Sequence, residues 1–238
     1  MKNICSYFSK GERMLWSFSV GFILTGFCFF GGNGVLSLIA SFIGVTAILL
    51  NAKGNPIGQL LMIIFSLLYG IISYSFAYYG EMITYLGMTM PMAAFALITW
   101  LKHPYKGNRA EVQVNSITKR EVVSVMFLVA MIVTAIFYFV LKYFHTANIL
   151  PSTISVTTSF LAVYLTFRRS AFFSLAYAAN DIVLIILWTL ASICDKRYVA
   201  VLVCFAAFLV NDIYAFISWQ RMKDRQNHAE ELLESCNK

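Results

Sequence analysis

Charged residues are scarce in this 238-residue chain: they make up 12% of the sequence, against 60% hydrophobic residues. An ordinary soluble domain carries roughly 25% charged residues, so this composition excludes most soluble globular folds. Several apolar runs approach or exceed the roughly 20 residues that are needed to cross a bilayer core. We therefore predict a polytopic membrane protein whose immediate surroundings are the lipid bilayer.

Signals of catalytic and metal sites are also lacking. The chain contains no Gly-rich phosphate loop and no Ser, His and Asp set typical of a hydrolase. We expect no bound metal, no cofactor and no enzymatic activity, with an integral membrane enzyme as the weaker alternative. The cysteines have no metal or redox spacing, and the histidines fall in loops or tails: Cys5, Cys28, Cys194, Cys204 and Cys236, and His103, His145 and His228.

Eight apolar runs are long enough, or nearly so, to be transmembrane helices. The first resembles the apolar part of a secretory signal, but no Ala-x-Ala cleavage site follows it, so we expect a retained helix. The chain is thus predicted to be all-α, with about eight transmembrane helices. The runs are Met14–Phe30, Val35–Leu50, Ile57–Tyr79, Met82–Leu101, Val122–Phe144, Thr153–Phe167, Ala171–Ser192 and Tyr198–Trp219.

The basic residues indicate the topology. The net charge is +7, but lysine and arginine are scattered through the connections between apolar runs, so no nucleic-acid partner is predicted. With eight crossings both termini lie on one side, and fifteen of the 18 lysines and arginines fall on that side. Only Lys142, Lys196 and Arg197 fall on the other. Because positive residues concentrate in cytoplasmic loops, we predict a cell-membrane protein with both termini in the cytoplasm.

The two halves of the chain resemble each other. Ser41–Val45 matches Ser159–Val163 at a spacing of 118 residues, and at 119 residues Tyr69 falls on Trp188 and Trp100 on Trp219. Equivalent helices lie four crossings apart, so the halves share one orientation and form a parallel 3+1+3 repeat. Such repeats are typical of transporters, whose substrate site lies near the midplane between the halves. The predicted segments are 1–34 (N-terminus and first helix), 35–104 (first repeat), 105–150 (loop and linking helix), 151–221 (second repeat) and 222–238 (cytoplasmic tail).

Two polar pairs interrupt the last two apolar runs. Asn180–Asp181 and Asn211–Asp212 stand 31 residues apart. Polar groups in a membrane helix are costly, so they indicate either function or helix packing. We expect Asn180 to contact the substrate, leave Asn211 open between the two roles, and favour packing for both aspartates. If the aspartates are instead ionised and face the cleft, they suit a cationic substrate.

Aromatic side chains accompany these amides. Tyr177, Asn180, Leu184 and Trp188 follow one another at steps of three or four residues and share a helix face, as do Asn211, Tyr214 and Ser218. Flat rings with a few hydrogen-bonding groups are the usual lining of a small-molecule pocket. The polar and aromatic counterparts in the first half are Gln59, Tyr69, Tyr78, Glu81 and Tyr85. The candidate substrate-binding residues are therefore Gln59, Tyr69, Tyr177, Asn180, Asp181, Trp188, Asn211, Asp212 and Tyr214.

Several short motifs also carry a resemblance. Asn51-Ala52-Lys53-Gly54-Asn55, Tyr69-Gly70, and Asn211-x-x-Tyr214 followed by Trp219 resemble the PnuC family of vitamin-precursor transporters, whose fold is related to the SWEET sugar transporters. The resemblance covers about Leu38 to Met222. It implies facilitated diffusion of nicotinamide riboside, a homotrimer, and trapping of the substrate by cytoplasmic phosphorylation. Thiamine or riboflavin carriers of the same family are alternatives, as is a proton-coupled carrier that titrates Asp181 or Asp212.

One family motif is incomplete in this chain. Asn180 falls on the Asn of the family's Trp-x-x-x-Asn motif, but position 176 holds Ala176. In the family that Trp helps to hold the flat ring of the substrate. We expect Tyr177, the next residue on the helix, or Trp188 to take over this stacking role.

Overall fold

The computed structural model describes residues 7–30, 34–75, 78–146 and 148–236 of the chain. Within this part, eight helices are long and apolar enough to cross a membrane, as the apolar runs predict. The last helix continues 17 residues beyond the predicted end at Trp219, as a charged extension. The helices are α1 (Lys10–Phe30), α2 (Val35–Ala52), α3 (Ile57–Ser75), α4 (Tyr79–Thr84, then π-helical Tyr85–Thr89, then Met90–Lys102), α5 (π-helical Val122–Val129, then Ala130–Tyr143), α6 (Ile149–Phe167), α7 (Phe173–Cys194) and α8 (Val199–Cys236).

A compact turn joins α2 to α3. Gly54 has a φ of 66°, which glycine adopts without steric cost. The amides of Gly54 and Asn55 donate to the carbonyls of Asn51 (2.9 Å) and Leu50 (3.1 Å), which is the bond pattern of a Schellman cap. Asn55 then caps α3, because its Oδ1 accepts from the amide of Ile57 at 3.0 Å. The Asn-Ala-Lys-Gly-Asn motif therefore reverses the chain within a few residues.

The end of α6 carries the same cap. The amides of Arg169 and Ser170 donate to the carbonyls of Thr166 and Leu165, both at 3.0 Å, and Arg169 has a φ of 56°. The two caps are thus equivalent at a spacing of 115 residues. That spacing is three residues shorter than the one at which the sequences of the two helices match.

A small hairpin, which the all-α prediction missed, fills the connection between α4 and α5. Strands β1 (Pro104–Tyr105) and β2 (Asn108–Val112) pair antiparallel, and the turn contains Gly107 at a φ of 77°. Gln226 of α8 is buried against this hairpin and donates to the carbonyl of Val112 at 3.1 Å. The charged extension of α8 is therefore a structural partner of the hairpin.

Two groups of three helices surround the centre of the protein. The first contains α2, α3 and α4, and the second contains α6, α7 and α8; between the groups, α2 packs on α8 and α4 packs on α6. Helix α1 lies against α2 and α8, and α5 lies against α6. The central space thus lies between the α2–α8 contact on one side and the α4–α6 contact on the other.

Two tryptophans connect the groups on the side that carries the α2–α3 and α6–α7 turns, which we call the terminal side. Trp219 of α8 donates from Nε1 to the carbonyl of Asn51 at 2.7 Å. Trp100 of α4 donates to the carbonyl of Thr166 at 2.9 Å. Each tryptophan therefore bonds the cap of the other group's first helix, and the two rings lie 5.4 Å apart.

Candidate substrate-binding site

A small, narrow cavity lies at mid-span between the two helix groups. Its free volume of about 20 Å³ has room for roughly one water molecule, so the structure is a closed conformation of this site. The first group contributes Gly44, Ile48, Met62, Phe65, Tyr85 and Thr89; the second contributes Ser159, Tyr177, Asn180, Asp181, Phe205, Phe208 and Asp212.

Asp181 and Asp212 meet in this cavity. Their carboxyl groups lie within hydrogen-bonding distance of each other, although one is on α7 and the other on α8. Each residue is only 4% exposed. The two aspartates, for which a packing role was favoured, thus contact a neighbouring helix through each other and also line the cavity.

Asn180 lines the same cavity and is held firmly by α6. Its Oδ1 accepts from the hydroxyls of Thr158 (2.7 Å), Ser159 (3.0 Å) and Ser155 (3.4 Å). Within the described part of the chain, its Nδ2 group has no hydrogen-bond partner. The side chain is therefore oriented by one end and has two donor hydrogens for a ligand at the other.

Asn211 lies outside the cavity lining. Its Nδ2 donates to the hydroxyl of Ser19 on α1 at 2.7 Å and to the carbonyl of Ala207 at 2.8 Å. Tyr214, one turn further along α8, donates to Glu12 of α1 at 2.9 Å. These two candidates therefore join α8 to α1.

The aromatic candidates separate in the same way. Tyr177 lines the cavity, together with Tyr85 and Phe65 from the first group. Trp188 and Tyr69 do not line the cavity and lie nearer the side opposite the terminal side. There Trp188 Nε1 donates to Tyr69 Oη at 3.0 Å. Of the two residues expected to stack on a substrate ring, only Tyr177 borders the cavity.

An aromatic cluster closes the cavity on that opposite side. The ring of Trp188 lies 4.7 Å from Tyr78 and 5.5 Å from Tyr198, and Tyr69 lies 4.4 Å from Tyr85. Burial raises the pKa of Tyr78 to about 12, so this phenol is neutral at physiological pH. The closure therefore consists of uncharged rings.

Gln59 and Ala176 both lie away from the cavity. Gln59 is 1% exposed and donates to Oδ1 of Asn51 at 2.9 Å, so it stabilises the α2–α3 turn. Ala176 borders a separate cavity of about 480 Å³ between α6, α7 and the segment before α5. A larger side chain at position 176 has space there.

Phe65 and Thr89 line the cavity but are not candidates from the sequence, and Tyr85, a counterpart in the first half, lines it as well. Tyr85 and Thr89 begin and end a π-helical segment directly before Pro91. Proline lacks an N–H and crowds the carbonyl four residues earlier, so the helix widens at this point. Pro91 is the sequence signal for this irregularity, since π-helical turns occur frequently at functional sites.

Eight apolar helices in two groups, closed around a mid-span cavity of rings and buried polar groups, define a polytopic membrane transporter for a small molecule. Residues 34–221 match the family described as "Nicotinamide mononucleotide transporter", and the chain belongs to this family. The resemblance to PnuC proteins and the transporter class are thereby confirmed. The family and the relatives below are transporters and not enzymes.

Two relatives are similar over most of their length. The chain is 25% identical over 204 residues to the nicotinamide riboside transporter PnuC of Neisseria mucosa, covering 83% of this chain and 76% of that protein. It also resembles the crystal structure of the vitamin B3 transporter PnuC, with a TM-score of 0.80 and 23% identity, covering 92% of this chain and 94% of the other. The second likeness confirms the fold.

Proposed function

We propose that this protein takes up nicotinamide riboside, or a closely similar vitamin precursor, across the cell membrane. Family membership and the name of the Neisseria relative support this substrate class. The observation that carries the proposal is the mid-span cavity, where the Asn180 amide lies among the rings of Tyr85 and Tyr177. A flat ring with hydroxyl groups needs this combination of apolar surface and fixed hydrogen-bonding groups.

We assign direct substrate contact to Tyr177, Asn180, Asp181 and Asp212, all of which line the cavity. Tyr177 stacks on the ring, and the free donors of Asn180 bind a hydroxyl or carboxamide oxygen. The other candidates act indirectly: Tyr69 and Trp188 through the closure, and Gln59, Asn211 and Tyr214 through helix packing.

Transport then requires the two helix groups to open alternately to each side. We interpret the groups as a parallel 3+1+3 repeat with α5 as the linker and α1 as an added helix. The reciprocal bonds of Trp100 and Trp219 support this interpretation, because two groups related by rotation make the same contact twice. Opening on the terminal side separates these two tryptophans, and opening on the other side separates Tyr69 from Trp188.

We further propose facilitated diffusion, with both termini in the cytoplasm and with trapping of the substrate by phosphorylation there. A homotrimer is the proposed assembly. Its support is the resemblance to the family and an exposed apolar stripe on α5, formed by Ile132, Ile136 and Phe139 at helical spacing. Light scattering of the detergent-solubilised protein tests the trimer, and a mass of one chain contradicts it.

Uptake of labelled nicotinamide riboside into proteoliposomes tests the function. Facilitated diffusion predicts equal concentrations on both sides in the absence of an imposed pH gradient. Accumulation above that level when a pH gradient is imposed would instead identify a proton-coupled carrier. Competition by unlabelled thiamine and riboflavin ranks the alternative substrates, and equal permeability of empty and protein-containing liposomes for all three contradicts the proposal.

A further inference from the structure

The two carboxyl groups in the cavity have no basic side chain beside them. Asp181 and Asp212 contact each other, and no N–H or O–H donor of the described residues reaches Oδ2 of Asp181. In the described part of the chain, no lysine, arginine or histidine lines the cavity. Among the described residues, no positively charged side chain therefore lies beside the two carboxyl groups.

The contact between the carboxyl groups limits their protonation. Carboxylate oxygens only accept hydrogen bonds, so a bond between two carboxyl groups needs a proton on one of them. Two adjacent carboxylates also repel each other strongly when both are ionised. Both conditions exclude the doubly ionised pair. Of the two states that remain, the fully protonated pair is neutral, and the pair that shares one proton carries the single negative charge that a bound cation would stabilise.

The other titratable groups facing the pair do not supply a compensating charge. They are Tyr177 on the same helix as Asp181, Tyr85 on α4 and Cys204 on α8, with Glu81 beyond Tyr85. The remaining neighbours are apolar or carry hydroxyl or amide groups, such as Thr89 and Ser159. Because a buried charge without a partner is costly, a positively charged ligand is the group that this site lacks.

We propose that the Asp181–Asp212 pair is the counter-ion for an organic cation, and that the cavity selects cationic vitamin precursors over neutral molecules of the same shape. This inference rests on the proposed function. Nicotinamide riboside carries a fixed positive charge on its pyridinium ring. Its 1,4-dihydro form, which has one added hydride and nearly the same shape, is neutral and is excluded.

Binding of these two forms to the purified full-length protein tests the inference by calorimetry. The cation binds at least about tenfold more tightly than the dihydro form, since an opposite charge at contact distance stabilises it even at a high effective dielectric constant. Equal affinities overturn the charge selection while leaving the proposed function intact. If neither form binds, the proposed function itself fails.

Asparagine substitutions separate charge from shape. In Asp212→Asn the amide replaces the shared proton as hydrogen-bond donor, so one carboxylate remains and the preference for the cation is retained. The double substitution Asp181→Asn with Asp212→Asn keeps the shape but removes the charge, and it loses the preference. A double variant that melts like the wild type and still prefers the cation overturns the inference. If the double variant does not fold, competition in the wild type decides: inhibition by neutral riboflavin equal to that by cationic thiamine is the contrary result.

Calorimetry in buffers of different ionisation enthalpy counts the protons released on binding. A pair that keeps its shared proton predicts no net release at neutral pH. Release of one proton for each bound cation would mean that the empty pair is fully protonated, which would overturn the single negative charge.

Discussion

At the residue scale, the asparagine and the aspartate of each polar pair have different neighbours. Successive side chains on a helix are about 100° apart, so the two members of a pair face different directions. Asn180 binds hydroxyls of α6, and Asn211 binds Ser19 of α1. Both asparagines therefore hold neighbouring helices together, while Asp181 and Asp212 meet at the cavity. Asn180 holds α6 through its Oδ1 and also lines the cavity, where its Nδ2 is available to a ligand.

Asn180→Ala is expected to lower both stability and ligand binding. It leaves the buried hydroxyl of Ser159 without its acceptor, which costs about 1–3 kcal/mol, and it removes the free donors. Thr158→Val is the matched control, because Thr158 makes the shortest of the three bonds but does not line the cavity. The control should lower Tm with binding unchanged. Wild-type affinity in Asn180→Ala would argue against a ligand contact.

An ion pair outside the membrane segments predicts a pH effect. Arg168 donates to both carboxylate oxygens of Glu121, and this hydrogen bonding holds the pKa of that carboxyl below its usual value. A lowered pKa stabilises the fold at neutral pH, and the stabilisation is lost as the pH falls through that pKa. Glu121→Gln should therefore lower Tm by up to about 4 °C at pH 7.

The difference between Glu121→Gln and the wild type should disappear towards acid pH. Asp195→Asn is the control, since Asp195 and Arg197 form an exposed pair of the same type within one loop. Because this pair joins residues only two apart, its loss should lower Tm less than Glu121→Gln does at pH 7. A deficit of Glu121→Gln that grows on acidification would contradict the assignment.

At the element scale, α1 packs on α8 of the second helix group and stabilises its position. Glu12 accepts from Tyr214 of α8 and forms a salt bridge with Lys53 of the α2–α3 turn at 3.1 Å. Further along α1, Ser19 binds Asn211, and Gly26 packs closely on Val203 of α8. The first predicted segment, 1–34, therefore includes a helix that connects α8 to the first group.

A pair of glycine substitutions tests this role of α1. A Cβ atom on Gly26 would lie 2.8 Å from Val203, whereas one on Gly21 would meet nothing within 4 Å. Gly26→Ala should therefore push α1 away from α8 and give a lower Tm than Gly21→Ala. Both changes have the same effect on helix propensity, so equal Tm values would show that the α1–α8 contact contributes nothing measurable.

At the scale of the whole molecule, one pair of aromatic residues from opposite helix groups lies on each side of the cavity. Tyr69 and Trp188 lie on one side, and Trp100 and Trp219 lie on the terminal side. The members of each pair stand 119 residues apart and come from opposite helix groups. A cavity with space for about one water molecule must open at one of these pairs before a nucleoside can enter.

Side-specific labelling of the cavity tests these closures. In a variant without native cysteines, Ser159→Cys places a thiol in the cavity lining. Trp188→Phe removes the bond to Tyr69 and should increase labelling by an impermeant maleimide from outside the cell. Trp219→Phe removes the bond to Asn51 and should increase labelling from the cytoplasmic side. An increase from the same side in both variants would contradict two separate closures and the proposed orientation.

Four of the residues that line the candidate site are candidates from the sequence, but the sequence does not show how the candidates are arranged in space. The sequence marks polar and aromatic residues within the last two apolar runs as candidates. Those that line the cavity are Tyr177, Asn180, Asp181 and Asp212. Gln59, however, hydrogen-bonds Asn51 at the α2–α3 turn. The sequence did not predict this contact, because a helix pattern does not show which neighbouring helix a polar side chain will meet. The hairpin was missed since its strands are short and its partner, Gln226, is more than 100 residues away.

The sequence by itself determined the eight helices, their approximate ends and the location of the polar groups along them. These are local properties, because a run of about 20 apolar residues forms a helix across a bilayer whatever surrounds it. Only the tertiary structure decided that the two aspartates meet while Asn211 turns to Ser19, 192 residues earlier. That choice depends on the rotation and register of each packed helix, and these are determined by contacts between residues far apart in the chain.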